Sequence, residues 1–192
     1  NYLYRLNCGG DDYTDSFGQL WLQDNTNYSH SWAENFKDLN SYLASQRTTN
    51  DPIRGTRDWK LFQHFRFGRH QLEYRFPVAD GTYRIELYFT EPWHGTGGSA
   101  STDCEGLRIF DVAVNDSVVL DDLDIWAESG HDGVCKKVVY ATVTGGMLRI
   151  HFPEVKAGQA LISGIAIAST NEELKPTVFP ASDWSWEKAD KE

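Results

Sequence analysis

The chain has 192 residues, of which 40% are hydrophobic and 14% aromatic, so it can form one domain with a substantial core. Its formal net charge of -10 disfavours nucleic acid and anionic membrane surfaces as partners, because both are negatively charged. No apolar stretch of the sequence reaches membrane-spanning length. The chain begins on strand-like residues without a recognisable signal peptide, which we interpret as an excised domain or a mature product.

The first part of the chain predicts one strand and a polar loop. Residues 2–6 alternate in polarity and predict a β-strand. A Cys-Gly-Gly break then leads into an acidic turn that contains Asp11, Asp12 and Asp15. These carboxylates leave open a structural calcium ion, although their spacing does not match an EF-hand loop. The polar loop that follows ends at Trp32, which we expect either in the core or beside a binding site.

Two further alternating segments predict strands joined by a short turn. They cover residues 59–67 and 72–76. Arg66, Arg69 and His70 form a small basic patch near this turn. Such a patch is the one local feature that would favour an anionic ligand on an otherwise acidic chain.

The strand predicted at residues 82–89 is followed by the most distinctive loop of the sequence. Trp93 and His94 open this loop, and a glycine-rich run follows them. Pro92 places Trp93 outside the strand. A flat aromatic ring beside hydrogen-bonding side chains is a typical way to hold a sugar, whose ring has apolar faces and outward hydroxyls. The structural alternative is a tryptophan packed in the core.

The remaining pattern predicts the fold class. Further strands are expected at residues 107–114, 118–120, 135–144, 147–152 and 160–168, with an acidic connector at 121–133. About nine short strands with hardly any helix predict an all-β fold, a jelly-roll β-sandwich of antiparallel strands with short helical turns in the loops. We place this sandwich at residues 1–168 and interpret residues 169–192 as a linker or C-terminal extension.

No motif in the sequence resembles a catalytic or zinc site. Asp121, Asp122 and Asp124 are typical of a solvated loop rather than of a glycosidase pair. We therefore expect no catalytic residue, no metal ligand and no cofactor apart from the calcium left open above. Cys8, Cys104 and Cys135 are compatible with one disulfide and a thiol, or with three thiols.

Several short motifs, taken in their order and spacing, resemble a malectin domain, a family also classed as a carbohydrate-binding module. They are YRLNCGG, GTYRIELYFTE, RIFDVAVND, LDDLDIW and LISGIAIA, and they extend over residues 2–168. The resemblance implies a jelly-roll sandwich that binds glucose-type or related oligosaccharides in a cleft built by loops, without catalysis.

The resemblance also implies site residues. In the family, aromatic residues after a Phe-Ala-Glu-like motif stack on sugar, and Trp93 and His94 occupy the matching positions here after Phe-Thr-Glu. A ligand tyrosine of the family aligns with Phe67, and an acid near the last strand is replaced in the Lys-Ala-Gly-Gln turn. We predict a carbohydrate-binding site in which Trp93 stacks on the sugar, His94, Arg66 and Gln159 hydrogen-bond to hydroxyls, and Phe67 and Trp32 form the walls.

Longer segments, including FTEPWHGTGG and the tail FPASDWSWEKADKE, resemble modules appended to bacterial family 2 glycoside hydrolases of the β-galactosidase type. This implies two partners: an oligosaccharide or polysaccharide, and the catalytic domain of a larger parent enzyme. It also implies an extracytoplasmic location, in the periplasm or secreted to the cell surface. The alternative is a structural or interaction domain that packs on the parent's catalytic domain and binds no sugar.

Overall fold

The computed structural model describes residues 1–24, 44–69, 72–95 and 103–171. Within these ranges the chain forms fourteen β-strands and two short α-helices, which confirms the predicted all-β class with helical turns in the loops. No helix in the described ranges is long and apolar enough to cross a membrane. Trp32, His70 and residues 172–192 of the predicted tail lie outside the described residues.

The largest sheet has six strands. Their order is β10 (Cys135–Val143), β7 (Gly81–Phe89), β14 (Gly164–Ser169), β1 (Tyr2–Cys8), β3 (Leu20–Asp24) and β2 (Tyr13–Thr14). Neighbouring strands are antiparallel, as predicted, except β1 and β3, which are parallel. All six residues of β14 are buried, as expected for a central strand covered on both faces.

Two smaller sheets complete the described part of the molecule. The five-stranded sheet runs β12 (Val155–Ala157), β8 (Ile109–Val114), β11 (Met147–His151) and β6 (Glu73–Pro77), and β9 (Ser117–Leu123) also pairs with β8. The three-stranded sheet runs β13 (Ala160–Ile162), β5 (His64–Gly68) and β4 (Ala44–Thr48). The helices are α1 (Trp59–Gln63) and α2 (Ile125–Ser129).

The core lies between the sheets and follows the predicted alternation most clearly in β7. Tyr83, Ile85, Leu87 and Phe89 are all fully buried, because every second residue of a strand faces the same side. Burial of each such side chain stabilises the fold by about 1.5–3 kcal/mol. The opposite face of this sheet is also partly covered, by a second apolar cluster that includes Trp21.

The chain changes sheets after β7. Strand β7 pairs with β10 and β14 in the six-stranded sheet, whereas β8 pairs with β9, β11 and β12 in the five-stranded sheet. The segment between them therefore crosses from one layer to the other. This crossing sets the loop that contains Trp93 at the rim of the sandwich.

Residues 59–63 form α1 rather than the first half of the predicted strand. Leu61 and Phe62 are adjacent in sequence and both buried. A helix can bury two adjacent residues, whereas a strand with one buried face buries only every second residue. The helix packs against the outer face of the six-stranded sheet, where the Phe62 and Tyr88 rings meet edge to face at 5.7 Å.

Two other predicted boundaries were wrong. The apolar run at 160–168 is divided at Ser163 into β13 and β14, which belong to different sheets. The connector predicted at 121–133 contains the end of β9 and the whole of α2. Asp124 caps this helix, since its Oδ1 accepts a hydrogen bond from the Ala127 amide at 3.0 Å.

The three cysteines are buried thiols, and none forms a disulfide. The alternative of three thiols is therefore the one that the structure adopts. Burial raises the pKa of the Cys8 thiol well above its usual value, and the nearby Asp24 carboxylate raises it further. Burial likewise raises the pKa of Cys135 to about 12.

Candidate functional site

A groove of about 820 Å³ lies at the rim, beside the segment that crosses from β7 to β8. This volume is typical of clefts that bind small organic ligands. The crossing segment, the three-stranded sheet and the β12–β13 turn each contribute to its walls. The lining residues are Arg47, Thr48, Thr49, Phe65, Phe67, Arg69, Pro92, Trp93, His94, Arg108, Gly158, Gln159 and Leu161. We call this groove the rim cleft.

Trp93 is the one large hydrophobic side chain of the described cleft lining that is strongly exposed, with 74% of its surface accessible. The alternative of a tryptophan packed in the core is therefore excluded. The following His94 is half-buried and also lines the cleft. The exposed indole therefore forms part of the open surface of the cleft.

A buried carboxylate holds the backbone under these two residues. Glu91 is fully buried, and its Oε2 accepts hydrogen bonds from the amides of Trp93 at 3.1 Å and His94 at 3.4 Å. Its Oε1 accepts from Nε of Arg108 at 2.6 Å. Arg108 in turn donates from Nη1 to the backbone oxygen of Gln159 at 2.7 Å. One ion pair thus connects the Trp93 segment, the start of β8 and the β12–β13 turn.

Glycine at position 95 allows the Trp93 segment to pack closely against α2 and its following loop. Gly95 has a φ of 89°, in the left-handed region that favours glycine. A Cβ added there would lie 2.8 Å from Nε1 of Trp126 and 3.0 Å from Cβ of His131. Any larger residue would therefore displace the segment.

Phe67 and Arg66, both predicted to contact sugar, lie on opposite faces of β5. Phe65 and Phe67 face the rim cleft, with ring centroids 6.2 Å apart. Arg66 is fully buried on the other face, where its Nε donates to Oδ2 of Asp24 at 2.6 Å. The predicted contact of Arg66 with a sugar hydroxyl was therefore wrong, because neighbouring residues of a strand point to opposite sides.

The partners of Arg66 form a sealed polar cluster rather than a site. Tyr74 donates from its hydroxyl to Oδ2 of Asp24 at 2.7 Å. The same oxygen accepts from the Gly9 amide at 3.2 Å. Burial, followed by the charge of Asp24, raises the pKa of Tyr74 well above its usual value. This arrangement joins β1, β3, β5 and β6.

The structure brings Trp93, His94, Phe67 and Gln159 together in the rim cleft, and Trp32 lies outside the described residues. It adds Glu91 and three arginines that the prediction did not use as site residues. Arg69, part of the predicted basic patch, lines the cleft together with Arg47 and Arg108. The alternation of Phe65 and Phe67 along β5, extended by two residues past the cleft-facing Phe67, was the available signal for Arg69, which follows the strand directly.

In the acidic turn where calcium is predicted, aspartate oxygens accept hydrogen bonds from backbone amides and from an indole. Oδ1 of Asp12 accepts from the Gln23 amide at 2.8 Å, and Oδ1 of Asp15 accepts from two turn amides at 2.9 Å each. Oδ2 of Asp15 accepts from the Trp21 indole at 3.0 Å. Structural calcium at this turn stays a prediction.

The family model of the malectin domain matches residues 2–171. The chain belongs to the malectin domain family. It is thus a member of a family of carbohydrate-binding modules, and the match is to a binding module rather than to a catalytic domain.

Individual proteins similar to the chain include a curated animal relative and parts of larger solved structures. Malectin of Danio rerio is 25% identical over 150 residues, covering 78% of this chain and 47% of that protein. The crystal structure of Bacteroides uniformis β-glucuronidase has a TM-score of 0.69 and 25% identity, covering 88% of this chain and 18% of that one. The ANXUR2 extracellular domain of Arabidopsis thaliana shares the fold, with a TM-score of 0.68 and 17% identity. The match covers 90% of this chain and 49% of that one. The malectin domain here spans less than half the length of these relatives.

Proposed function

We propose that this malectin domain binds an oligosaccharide or polysaccharide in the rim cleft, as the non-catalytic module of a larger glycan-degrading enzyme outside the cytoplasm. The observation that carries the proposal is the exposed indole of Trp93 beside an open groove lined by aromatic and hydrogen-bonding side chains. Stacking of a pyranose on the indole buries the apolar face of the sugar, and polar groups around it receive the hydroxyls.

The residues of the cleft divide into three roles under this proposal. Trp93 supplies the stacking surface, and Phe67 forms the facing apolar wall. The side chains of His94 and Gln159 hydrogen-bond to hydroxyls at the edge of the sugar ring. Glu91 does not touch the ligand but keeps the Trp93 and His94 backbone in place through their amides.

The charge of the rim cleft favours glycans that carry carboxylates. Arg47, Arg69 and Arg108 line it, and its described lining contains no acidic side chain. Glu91 compensates the charge of Arg108 from beneath, which leaves Arg47 and Arg69 to act on a ligand. A local positive charge on a chain of net charge -10 is the arrangement that attracts an anionic sugar to one place on the surface.

The bacterial relative supports the expected context. The β-glucuronidase of Bacteroides uniformis contains the matched region as 18% of its chain, so most of that enzyme lies in other domains. An accessory module of a similar enzyme would hold polymeric substrate near a catalytic domain that this chain lacks. Extracellular malectin-like domains such as that of ANXUR2 are compatible with an extracytoplasmic location.

Isothermal titration calorimetry tests the proposal with two exposed tryptophans. The wild-type domain is titrated with oligogalacturonides and with neutral galactan oligosaccharides, and we expect dissociation constants between about 1 μM and 1 mM, with tighter binding of the acidic set. Trp93→Ala should abolish binding without loss of stability, because the ring is mostly exposed. Trp59→Ala is the matched control, since Trp59 is 44% exposed on α1 and does not line the cleft.

Two results would contradict the proposal. Binding that survives in Trp93→Ala but is lost in Trp59→Ala would move the site away from the rim cleft. Absence of binding to acidic and neutral glycans of different linkages would favour the alternative, in which the domain packs on a catalytic domain without holding sugar.

A further inference from the structure

The loop between α2 and β10 is held beside the segment that precedes α1. The Arg54 amide donates to the Asp132 backbone oxygen at 2.8 Å, and the Val134 amide donates to the Arg54 oxygen at 3.1 Å. Arg54 and Gly133 form a parallel β-bridge between the two segments. Since Asp51 lies three residues before Arg54, this pairing carries its carboxylate to His131 and Asp132.

These three side chains converge on one point. One potential metal-ligand atom of each of Asp51, His131 and Asp132 lies within 4.8 Å of those of the other two. Nε2 of His131 lies 2.8 Å from Oδ2 of Asp132. The groups come from two separate parts of the chain, and neither sequence spacing nor the malectin resemblance would have joined them.

The cluster contains two buried polar atoms whose hydrogen-bonding capacity is not used. Asp132 is 7% exposed and lies against the carboxyl group of Asp51, and its Oδ1 accepts no hydrogen bond from an N–H donor of the described residues. Nδ1 of His131 is likewise buried without a described partner. A buried carboxylate oxygen without a donor or cation is costly, so such atoms at the same cluster point to a bound species.

Arg54 does not satisfy either of these atoms. Its Nη2 donates to the backbone oxygens of Ser129 at 2.9 Å and His131 at 2.8 Å, which orders the loop. Its positive charge offsets one of the two carboxylates of the cluster. One carboxylate charge and the imidazole nitrogens of His131 are left for a cation.

We propose that Asp51, His131 and Asp132 bind a divalent transition-metal ion, of which Zn²⁺ is the probe. Two carboxylate oxygens and one imidazole nitrogen form a mixed oxygen and nitrogen set. Imidazole favours Zn²⁺ and its first-row neighbours, whereas Ca²⁺ and Mg²⁺ take oxygen ligands alone. Three protein ligands leave at least one position of the ion for water.

A second acidic cluster in the described chain serves as an internal comparison. Asp111, Asp121 and Asp122 also bring carboxylate oxygens together. Here, however, Oδ1 of Asp111 accepts from the Asp122 amide at 2.8 Å, and Asp122 pairs with Lys156. With partners present and no imidazole, this cluster carries no expectation of a transition metal.

The proposed ion would connect two segments that border the rim cleft. Thr49, two residues before Asp51, lines the cleft, and Gly95 of the Trp93 segment packs against His131. An ion that binds the folded state alone stabilises it by mass action. No residue of the cluster lines the cleft, so Zn²⁺ binding can be measured separately from glycan binding.

Zinc titration of the chain after treatment with EDTA tests the inference. We expect binding of one Zn²⁺ per chain by calorimetry and a rise in Tm of about 5–10 °C at a hundredfold excess over Kd. Asp51→Asn and Asp132→Asn should each weaken Zn²⁺ binding at least about tenfold. Asn tolerates the left-handed backbone at position 132, where φ is 52°, so this variant should fold.

The matched control is Asp121→Asn, which removes a carboxylate from the second cluster and should bind Zn²⁺ like the wild type. In metal-free buffer, Asp51→Asn should be at least as stable as the wild type, because it removes the repulsion between two carboxylates. Equal Zn²⁺ affinity in all three variants would overturn the inference, as would absence of binding up to about 1 mM Zn²⁺. Preference for Ca²⁺ over Zn²⁺ would overturn the assignment to a transition metal.

Discussion

Two arginine–carboxylate pairs lie on opposite sides of β5, and their bond lengths are the same. Nε of Arg66 is 2.6 Å from Oδ2 of Asp24, and Nε of Arg108 is 2.6 Å from Oε1 of Glu91. Both side chains of the first pair are fully buried. In the second pair Glu91 is fully buried, whereas 9% of the Arg108 side chain reaches the surface.

The two pairs differ in the other hydrogen bonds that their carboxylates accept. Asp24 accepts hydrogen bonds from Tyr74 and from the Gly9 amide, and these two partners belong to the interior of the sandwich. Glu91 accepts from the amides of Trp93 and His94, which face the rim cleft. The same ion-pair chemistry thus joins strands in one place and positions a ligand-facing segment in the other.

Arg66→Met should have the largest effect and should act on stability alone. Methionine fills the space of the aliphatic chain but leaves the Asp24 carboxylate buried without its cation. We expect a loss of about 3–5 kcal/mol in the free energy of unfolding, measured by urea denaturation. Glycan affinity of the remaining folded protein should change less than about twofold.

Arg75→Met is the control for this prediction. Arg75 pairs with Glu73 at 3.6 Å, and 46% of its side chain is exposed. Its loss should cost less than about 1 kcal/mol. If the two variants were equally stable, the sealed cluster would not contribute to the fold as we infer.

Glu91→Gln should combine a moderate loss of stability with a loss of binding. Glutamine has the shape of glutamate, but it lacks the negative charge opposite Arg108 and has one hydrogen-bond-accepting oxygen fewer. We expect about 2–4 kcal/mol less stability and about tenfold weaker glycan binding, since the Trp93 and His94 amides lose their anchor. Calorimetry and urea denaturation of one preparation measure both. A loss of stability with unchanged affinity would make Glu91 equivalent to Asp24 and remove the distinction between the pairs.

The two pairs also show which features of the structure the sequence could predict. The alternation that predicted β7 and the strand with Phe67 is a local property, because one buried face imposes period two on the residues themselves. The same alternation implied that Arg66 and Phe67, as neighbours on one strand, point to opposite faces of the sheet. The prediction nevertheless put both residues in one site, because it did not take the direction of their side chains into account.

Non-local features could not be predicted in the same way. Glu91 and Arg108 are separated by the crossing from one sheet to another, so no periodicity relates them. The division of an apolar run at Ser163 depends on which sheet each half joins. The exposed position of Trp93 was predictable, since Pro92 and the glycine-rich run end the strand before it.

Arg69→Gln should have the smallest effect, on ligand choice rather than on folding. Arg69 is exposed at the cleft, so stability should change by less than about 0.5 kcal/mol. An ion pair of 4 Å in water is worth about 1 kcal/mol, which corresponds to about fivefold weaker binding of oligogalacturonides. Neutral galactan oligosaccharides should bind as before, and calorimetry with both ligands measures the difference.

Salt separates this charge effect from a change in shape. Screening shortens the range of the interaction from about 30 Å at 0.01 M to about 8 Å at 0.15 M, so the wild type should lose its preference for acidic glycans as salt rises. Arg69→Gln should show a weaker dependence, whereas Arg57→Gln, an exposed arginine that does not line the rim cleft, should behave as the wild type. If both variants lost the same affinity, the charge of the whole surface would govern binding. The contrast between a ligand-facing arginine cluster and the sealed Arg66 would then have no bearing on ligand choice.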